Sequence, residues 1–286
     1  MLVDGHCHPT DHPEQLGEIA TLDLRMAAMS TRLDDLALVE EVARQFPDKV
    51  VPAFGLHPWY TYLVKTQDVD KTTHYQSVLD PPADESLIEV LPEPVLLADH
   101  VEKLRQLLER HPSALLGEVW LDRQFKLKFN DTLYPHKVTL DHQRTVLRAQ
   151  LELATKLGRS ASLHGVGAHQ ALFEEVARLE TGLGPVCLHS YGGSPDFYKQ
   201  CWRKLPIDVY LSMAPFIADK LVARRLNALL AVAEPRLVLS ESDMNRAGTE
   251  QVRDVQRSLD LLQKRFSWEN AELQVEENFG RFIART

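Results

Sequence analysis

Cysteine is scarce in this chain of 286 residues, which has only Cys7, Cys187 and Cys201. Three cysteines this far apart cannot form the disulfide framework of a small secreted domain. The sequence also lacks an apolar run long enough to cross a membrane, and its first residues lack the basic segment and apolar run of a secretion signal. We therefore expect an intracellular protein, cytoplasmic or nuclear, that does not contact a membrane.

No stretch rich in glycine and serine, no block of like charge and no repeat indicates a domain boundary. The content of 44% hydrophobic and 26% charged residues is that of an ordinary globular protein with a large core. One domain over residues 1–286 is the simplest interpretation, although the length also permits two. The formal net charge of −9 argues against extended wrapping of nucleic acid, but not against a local basic groove or a pocket for one phosphate.

Eight apolar segments, most of them followed by an amphipathic helix, predict a parallel β-sheet with right-handed crossovers. A closed (β/α)8 TIM-type barrel is the simplest such α/β fold, and an open doubly wound sheet is the alternative. Between the third and fourth of these segments, a stretch of about 60–95 is broken by several prolines and is expected to be a long irregular insertion. The predicted strands cover residues 2–8, 22–29, 49–56, 113–121, 160–164, 185–189, 207–213 and 236–243.

Residues of the metal-binding type stand at the carboxyl ends of these strands, where barrel enzymes carry their active sites. His6 and His8 share one face of the first strand because side chains alternate along a strand. Two imidazoles placed in this way can chelate a divalent ion, whereas two surface histidines are the alternative interpretation. Four further candidates follow later strands, and they are Glu118, His164, His189 and Asp243.

Longer motifs surround these residues: Val3-Asp4-Gly5-His6-Cys7-His8, Gly117-Glu118-Val119-Trp120-Leu121-Asp122, Leu188-His189-Ser190-Tyr191-Gly192-Gly193 and Leu239-Ser240-Glu241-Ser242-Asp243. In order and spacing they resemble the TatD-type metal-dependent deoxyribonuclease family. The resemblance implies a barrel with two divalent metal ions, the first held by His6, His8 and Asp243 and the second by His164 and His189. It also implies that Glu118 bridges the two ions. Imidazole and carboxylate ligands suit zinc or a similar ion, with magnesium or manganese as further options.

The expected reaction is hydrolysis of a phosphodiester by a water that two metal ions activate, with a 3′-5′ exonuclease acting on DNA as the leading candidate. We expect Asp243 to be both ligand and general base, and Glu118 to take part in catalysis. Asp4 and Glu241 are expected to orient ligand histidines, or else to be buried polar groups with local partners. His57, Arg123 and Arg246 are expected to bind substrate, the last because His164-Gly165-Val166 lacks the arginine usual in the family.

Two other functions remain open from the sequence. An amidohydrolase-type barrel uses a similar histidine pair to cleave a small amide, ester or lactone. A family member could instead act as a scaffold whose protein partner binds the 60–95 insertion. The remaining histidines lie away from strand ends and are interpreted as surface or capping residues, namely His74, His100, His111, His136 and His142.

Overall fold

The computed structural model describes residues 1–179, 182–215 and 223–284. Eight parallel strands follow one another in chain order around one sheet, which confirms the predicted barrel. Their buried, nearly continuous apolar sequences are typical of a parallel sheet covered by helices. The strands are β1 Leu2–Cys7, β2 Leu24–Met29, β3 Val50–Phe54, β4 Leu115–Asp122, β5 Ala161–Val166, β6 Val186–Leu188, β7 Val209–Met213 and β8 Val238–Ser240.

The first and last strands lie side by side and nearly close the barrel. Beyond β8, the amide of Asp243 donates to the carbonyl of His6 at 3.0 Å, and the amide of His8 donates to the carbonyl of Met244 at 2.7 Å. Gly5 permits this close approach, because a Cβ atom there would lie 3.0 Å from the carbonyl oxygen of Ser240. The open-sheet alternative is therefore wrong.

Helices cover the outside of the barrel, as the amphipathic segments after the predicted strands indicated. Leu140–Leu157 ends where Gly158 adopts the left-handed conformation that terminates many helices. Thr249–Phe266 packs its apolar face toward the core. The helices are α1 Leu36–Gln45, α2 Lys71–Val78, α3 Glu85–Val90, α4 Leu97–Arg110, α5 Leu140–Leu157, α6 His169–Ala177, α7 Pro195–Gln200, α8 Ala223–Val232, α9 Thr249–Phe266 and α10 Ala271–Ile283.

The stretch 60–95 is not irregular as predicted, since it contains α2 and α3. Both helices start at an aspartate whose carboxylate accepts a hydrogen bond from a backbone amide in the first turn: Asp70 accepts from Thr73 and Asp84 from Leu87. Such caps stabilise short helices between proline-rich connections. The segment also has its own apolar cluster, which includes Tyr75.

Several histidines that were expected to be surface or capping residues are buried. The expectation of a surface location was therefore wrong for them. His74 pairs through Nε2 with the carbonyl of Tyr62 at 2.8 Å, and His142 pairs through Nε2 with the carbonyl of Thr61 at 2.9 Å. A neutral imidazole can be buried when its N–H finds such an acceptor. The buried members are His74, His100, His136 and His142.

Candidate metal centre

The six candidate ligands from the sequence analysis all lie at the carboxyl ends of the barrel strands, and their side chains face one another. The Nε2 atoms of His6 and His8 are 3.2 Å apart. Glu118 Oε2 lies 3.4 Å from the first of these atoms and 3.3 Å from the second. The three atoms therefore form one compact group, as the alternation along β1 predicted.

The other carboxylate oxygen of Glu118 faces a second set of histidines. Glu118 Oε1 lies 3.2 Å from His164 Nδ1 and 3.8 Å from His57 Nε2. Glu118, His164 and His189 offer ligand atoms that all lie within 4.8 Å of one another. One carboxylate thus divides its two oxygens between two candidate groups.

Asp243 lies between these groups. Its Oδ1 atom is 3.6 Å from His8 Nε2 and 3.7 Å from His189 Nε2. The residue has φ of 57°, in the left-handed region that aspartate enters more readily than most residues. This backbone conformation follows directly on β8 and occurs, as strained conformations often do, at a candidate active site.

Hydrogen bonds to the Nδ1 atoms, on the side of the ring that points away from the centre, fix two of the histidine rings. Ser162 Oγ lies 2.9 Å from His6 Nδ1, and Glu241 Oε2 lies 2.7 Å from His189 Nδ1. Each contact leaves the Nε2 atom of its ring for the centre, which is the usual arrangement around metal-binding histidines. The serine was not identified from the sequence, although it stands two residues before His164 on the same strand face.

Asp4 is a buried polar group with local hydrogen-bond partners, which was one of its two expected roles. Its carboxylate accepts hydrogen bonds from the amides of His6 and Ser242 at 3.3 and 2.9 Å, and from the side chain of Gln251 at 2.9 Å. These contacts hold the backbone of β1 against the segment after β8. Asp4 therefore positions two candidate ligands through the main chain, and within the described residues its carboxylate has no hydrogen bond to an imidazole ring.

The ligand atoms fit a bound divalent cation. Atoms that bind zinc tetrahedrally at roughly 2.0 Å lie about 3.3 Å from one another. The three separations among His6, His8 and Glu118 are 3.2, 3.3 and 3.4 Å. His164 Nδ1 is buried and, among the described residues, has no hydrogen-bond partner, so its free electron pair suits a metal ion.

A third triad of possible ligands, formed by His6, His189 and Glu241, does not fit a cation equally well. The carboxylate of Glu241 already accepts hydrogen bonds from His189 Nδ1 and from the amide and hydroxyl of Ser190 at 2.9 and 2.6 Å. The hydroxyl of Ser212 donates to the same carboxylate. Glu241 is therefore better placed to orient His189 than to bind an ion.

The electrostatics of the centre favour positive charge. Burial alone would raise the pKa of Glu118, but His6 and His57 hold it well below its usual value. Burial opposes protonation of His189, yet the nearby Glu241 and Asp243 raise its pKa to about 9. The carboxylates thus remain ionised at neutral pH and attract protons or a cation, and metal binding displaces such protons.

A cavity of about 210 Å³ opens above the centre. Arg32 and Trp59 line it, and neither Arg123 nor Arg246 does. Arg123 is exposed on the loop after β4, and Arg246 pairs with Glu250 at 2.7 Å beside another depression. Arg32, three residues after the end of β2, was not among the predicted substrate-binding residues. A larger groove of about 740 Å³ lies at the amino ends of β5 to β8, away from these residues.

A barrel that gathers four histidines and two carboxylates at the carboxyl ends of its strands defines the class of metal-dependent hydrolases. Residues 3–283 match the family described as TatD related DNase. This chain belongs to that family and is a metal-dependent hydrolase acting on ester bonds.

Two similar proteins come from yeasts. The Cut9-interacting protein scn1 of Schizosaccharomyces pombe is 30% identical over 336 aligned positions, which cover 100% of this chain and 99% of the relative. An uncharacterized deoxyribonuclease of Saccharomyces cerevisiae is 30% identical over 321 positions, which cover 99% of each. Both relatives are matched over nearly their whole length.

Solved structures show the same fold. The TatD homolog YJJV of Escherichia coli has a TM-score of 0.64 and 20% identity, with 98% of this chain and 95% of that chain covered. A TatD family hydrolase from Entamoeba histolytica has a TM-score of 0.62 and 12% identity, with 98% and 96% covered. In the described part of the chain, no helix is long and apolar enough to span a membrane.

Proposed function

We propose that the chain is a phosphodiesterase, specifically a deoxyribonuclease of the 3′-5′ exonuclease type, that uses two divalent metal ions. The observation that carries the proposal is the division of the Glu118 carboxylate, whose Oε2 faces His6 and His8 while Oε1 faces His164. A bridging carboxylate between two ions requires this arrangement. The name of the yeast deoxyribonuclease supports DNA as the substrate.

The proposed ligand sets are His6, His8 and Asp243 for one ion and His164 and His189 for the other, with Glu118 shared. The donor atoms suit zinc or a similar ion, and magnesium or manganese are alternatives. When bound, such ions make a water nucleophilic at neutral pH and offset charge on the phosphate. These residues would hold the ions at the base of the cavity.

Asp243 is the proposed general base. It is the candidate ligand whose carboxylate is a third exposed, and it lines the cavity between the two groups of histidines. Burial alone would raise its pKa, but His189 and His8 lower it, so the group is ionised at neutral pH. An ionised carboxylate at this position can accept the proton of an attacking water.

His57 and Arg32 are proposed to bind the phosphate. His57 lies 3.8 Å from Glu118 Oε1 and lines the cavity, as does Arg32. The cavity of about 210 Å³ has room for roughly seven waters, which is enough for a phosphate group. A small ester, amide or lactone would fit the same space.

A protein partner is a separate proposal, which the name of the fission yeast relative supports. The 60–95 insertion exposes two apolar side chains, Val90 at 48% and Val95 at 42%. The two residues are five positions apart in the sequence, and exposed apolar groups that form one patch are typical of interaction surfaces. We propose that the insertion is the contact region for this partner. The single domain over residues 1–286 and the intracellular location, cytoplasmic or nuclear, stay predictions.

The test combines metal analysis with a substrate panel on the same preparation. After chelation, the protein is reloaded with zinc, manganese or magnesium. It is then given DNA and RNA strands labelled at either end, bis(p-nitrophenyl) phosphate, and a simple ester and amide. We expect stepwise shortening of DNA from the 3′ end.

Variants identify the source of the activity. His6→Ala and Glu118→Gln should remove it, whereas His12→Ala, an exposed histidine outside the centre, should not. Activity confined to the ester or amide would instead support the amidohydrolase alternative. A metal-free protein that only forms protein complexes would support the scaffold.

A further inference from the structure

Two aromatic rings form a stacked pair at the edge of the cavity. The rings of Trp59 and Phe125 have centroids 4.1 Å apart and planes inclined by 10°. Trp59 lines the cavity together with Glu118 and is still 38% exposed. The ring of Trp59 also meets the ring of His57 edge to face, with centroids 4.6 Å apart. A partly exposed aromatic pair therefore adjoins the metal centre.

One carboxylate fixes this pair. The indole N–H of Trp59 donates to Asp122 Oδ2 at 2.7 Å. The other oxygen of Asp122 accepts from the backbone amides of Gln124 and Phe125 at 2.6 and 3.0 Å. Because both rings depend on one buried aspartate at the end of β4, they are held in place before any ligand binds, which lowers the entropy cost of stacking.

A short hairpin continues from the stacked pair. Its strands are Lys128–Phe129 and Thr132–Leu133, and the amide of Leu127 donates to the carbonyl of His136 at 2.8 Å. We call residues 123–138 the basic hairpin. Leu133 at its tip is 66% exposed. Lys126 directly follows Phe125, so their Cα atoms lie about 3.8 Å apart.

The basic hairpin is positively charged in a chain whose net charge is −9. It has four cations, Arg123, Lys126, Lys128 and Lys137, against the single carboxylate of Asp131. Within the parts of the chain that the structure describes, Arg123 and Lys126 are exposed and have no carboxylate partner. Lys128 pairs with Asp131 at 3.1 Å, but both groups are exposed and such pairs are weak.

We propose that Trp59, Phe125 and the basic hairpin form a track for single-stranded nucleic acid leading away from the metal centre. Aromatic rings that stack on bases, followed by cations that contact the backbone, are the combination that such proteins use. The base next to the scissile phosphate stacks on Trp59, and the following phosphates pass Arg123 and Lys126. The inference rests on the proposed phosphodiesterase function and assigns the surface that the strand contacts beyond the reacting phosphate.

The test measures binding to the metal-loaded protein. The probe is a fluorescent 12-nucleotide strand with phosphorothioate linkages, which slow its cleavage, at several salt concentrations. Trp59→Ala should weaken binding by about 5- to 150-fold, the range expected for one stacked base. Trp59→Phe, which retains a ring, should recover most of the affinity.

The cations are tested through the salt dependence. In the double variant Arg123→Ala/Lys126→Ala, the slope of log affinity against log salt should fall by about 1.4, since each lost contact to a single strand accounts for about 0.7. The matched control is Lys103→Ala/Arg253→Ala, which removes an exposed lysine and arginine from α4 and α9. The control should bind as the unmodified protein does.

Each remaining outcome is decisive. Unchanged affinity and slope in the Arg123/Lys126 variant, or unchanged affinity in Trp59→Ala, would overturn the track, as would equal binding of a 12-residue polyglutamate. Activity on bis(p-nitrophenyl) phosphate with unaffected strand binding would refute the track and leave the phosphodiesterase proposal standing. Loss of binding in the variants of a protein that hydrolyses no phosphodiester would support the track and refute the proposed reaction.

Discussion

Glu241 Oε2 lies 2.7 Å from His189 Nδ1, and both side chains are fully buried. The carboxylate fixes the ring so that Nε2 points to the centre, and it makes the imidazole a stronger donor toward a metal. Glu241→Gln retains the shape but loses the charge. We expect metal affinity to fall about 10- to 100-fold, measured by competition with a chromophoric chelator.

The control for this variant is Glu18→Gln, a change of the same kind at an exposed position outside the centre. Equal metal affinities of Glu241→Gln and the unmodified protein would show that the buried carboxylate does not tune His189.

Asp243→Asn tests the general base. The amide cannot accept the proton of the attacking water, so kcat should fall by at least about 100-fold. Metal content is measured in parallel, because Asp243 is also a proposed ligand. Normal turnover in this variant would show the assignment to be wrong, and Asp23→Asn at an exposed position serves as the control.

Arg32→Ala tests phosphate binding in the cavity. Arg32 donates to Asp11 at 3.1 Å and lies over the ring of Tyr60, so the guanidinium is held in position. Loss of one charge-assisted hydrogen bond to phosphate should raise KM about 10- to 150-fold. Steady-state kinetics on a DNA strand measure this change.

Arg32→Lys retains the charge and should show a smaller increase in KM. Arg44→Ala, which removes an exposed arginine paired with Glu41, should have no effect. A KM for Arg32→Ala equal to that of the unmodified protein would exclude phosphate binding by this residue.

Acid should destabilise the protein through its buried neutral histidines. Burial lowers the pKa of His142 to about 4, from about 6.5 in the unfolded chain. Between these two values the unfolded chain binds a proton that the folded protein excludes. The free energy of unfolding should therefore fall as pH falls from 6.5 to 4, by at most about 1.4 kcal/mol per pH unit for this group.

His142→Gln can keep a donor to the carbonyl of Thr61 but cannot titrate in this range. Urea unfolding at pH 7.5, 6 and 5 should give a shallower loss of stability for this variant. An identical pH profile would mean that His142 is not among the groups responsible. The effect would then come from other buried histidines such as His57 and His100, whose pKa values are also lowered to about 4.

The sequence was sufficient to predict that the chain forms a barrel and that the candidate ligand residues lie close together, because parallel strands bring their carboxyl ends to one rim whatever the details of packing. It did not predict α2 and α3, because the prolines of this stretch indicate irregular structure, whereas the helix starts are marked only by the capping aspartates Asp70 and Asp84. The contact between Ser162 and His6 joins two strands that are far apart in the sequence. Such contacts depend on the register between strands, which the residue pattern of one strand does not reveal.

The orientation of long side chains also could not be predicted from the sequence. Arg246 was expected to replace a missing cation, but it pairs with Glu250 one helical turn away. Arg32 reaches the cavity instead, because the segment after β2 ends at the same rim. Residue type and strand position identify candidates, whereas the choice among several arginines requires the folded arrangement.

The hydrogen bonds that join His6 to Asp243 and His8 to Met244 connect positions more than two hundred residues apart. During synthesis, His6 and His8 emerge from the ribosome more than two hundred residues before Asp243 and Met244. A nascent chain can therefore bring these candidate ligands together only after residue 244 has been made. Capture of the cofactor is in this way coupled to completion of the fold.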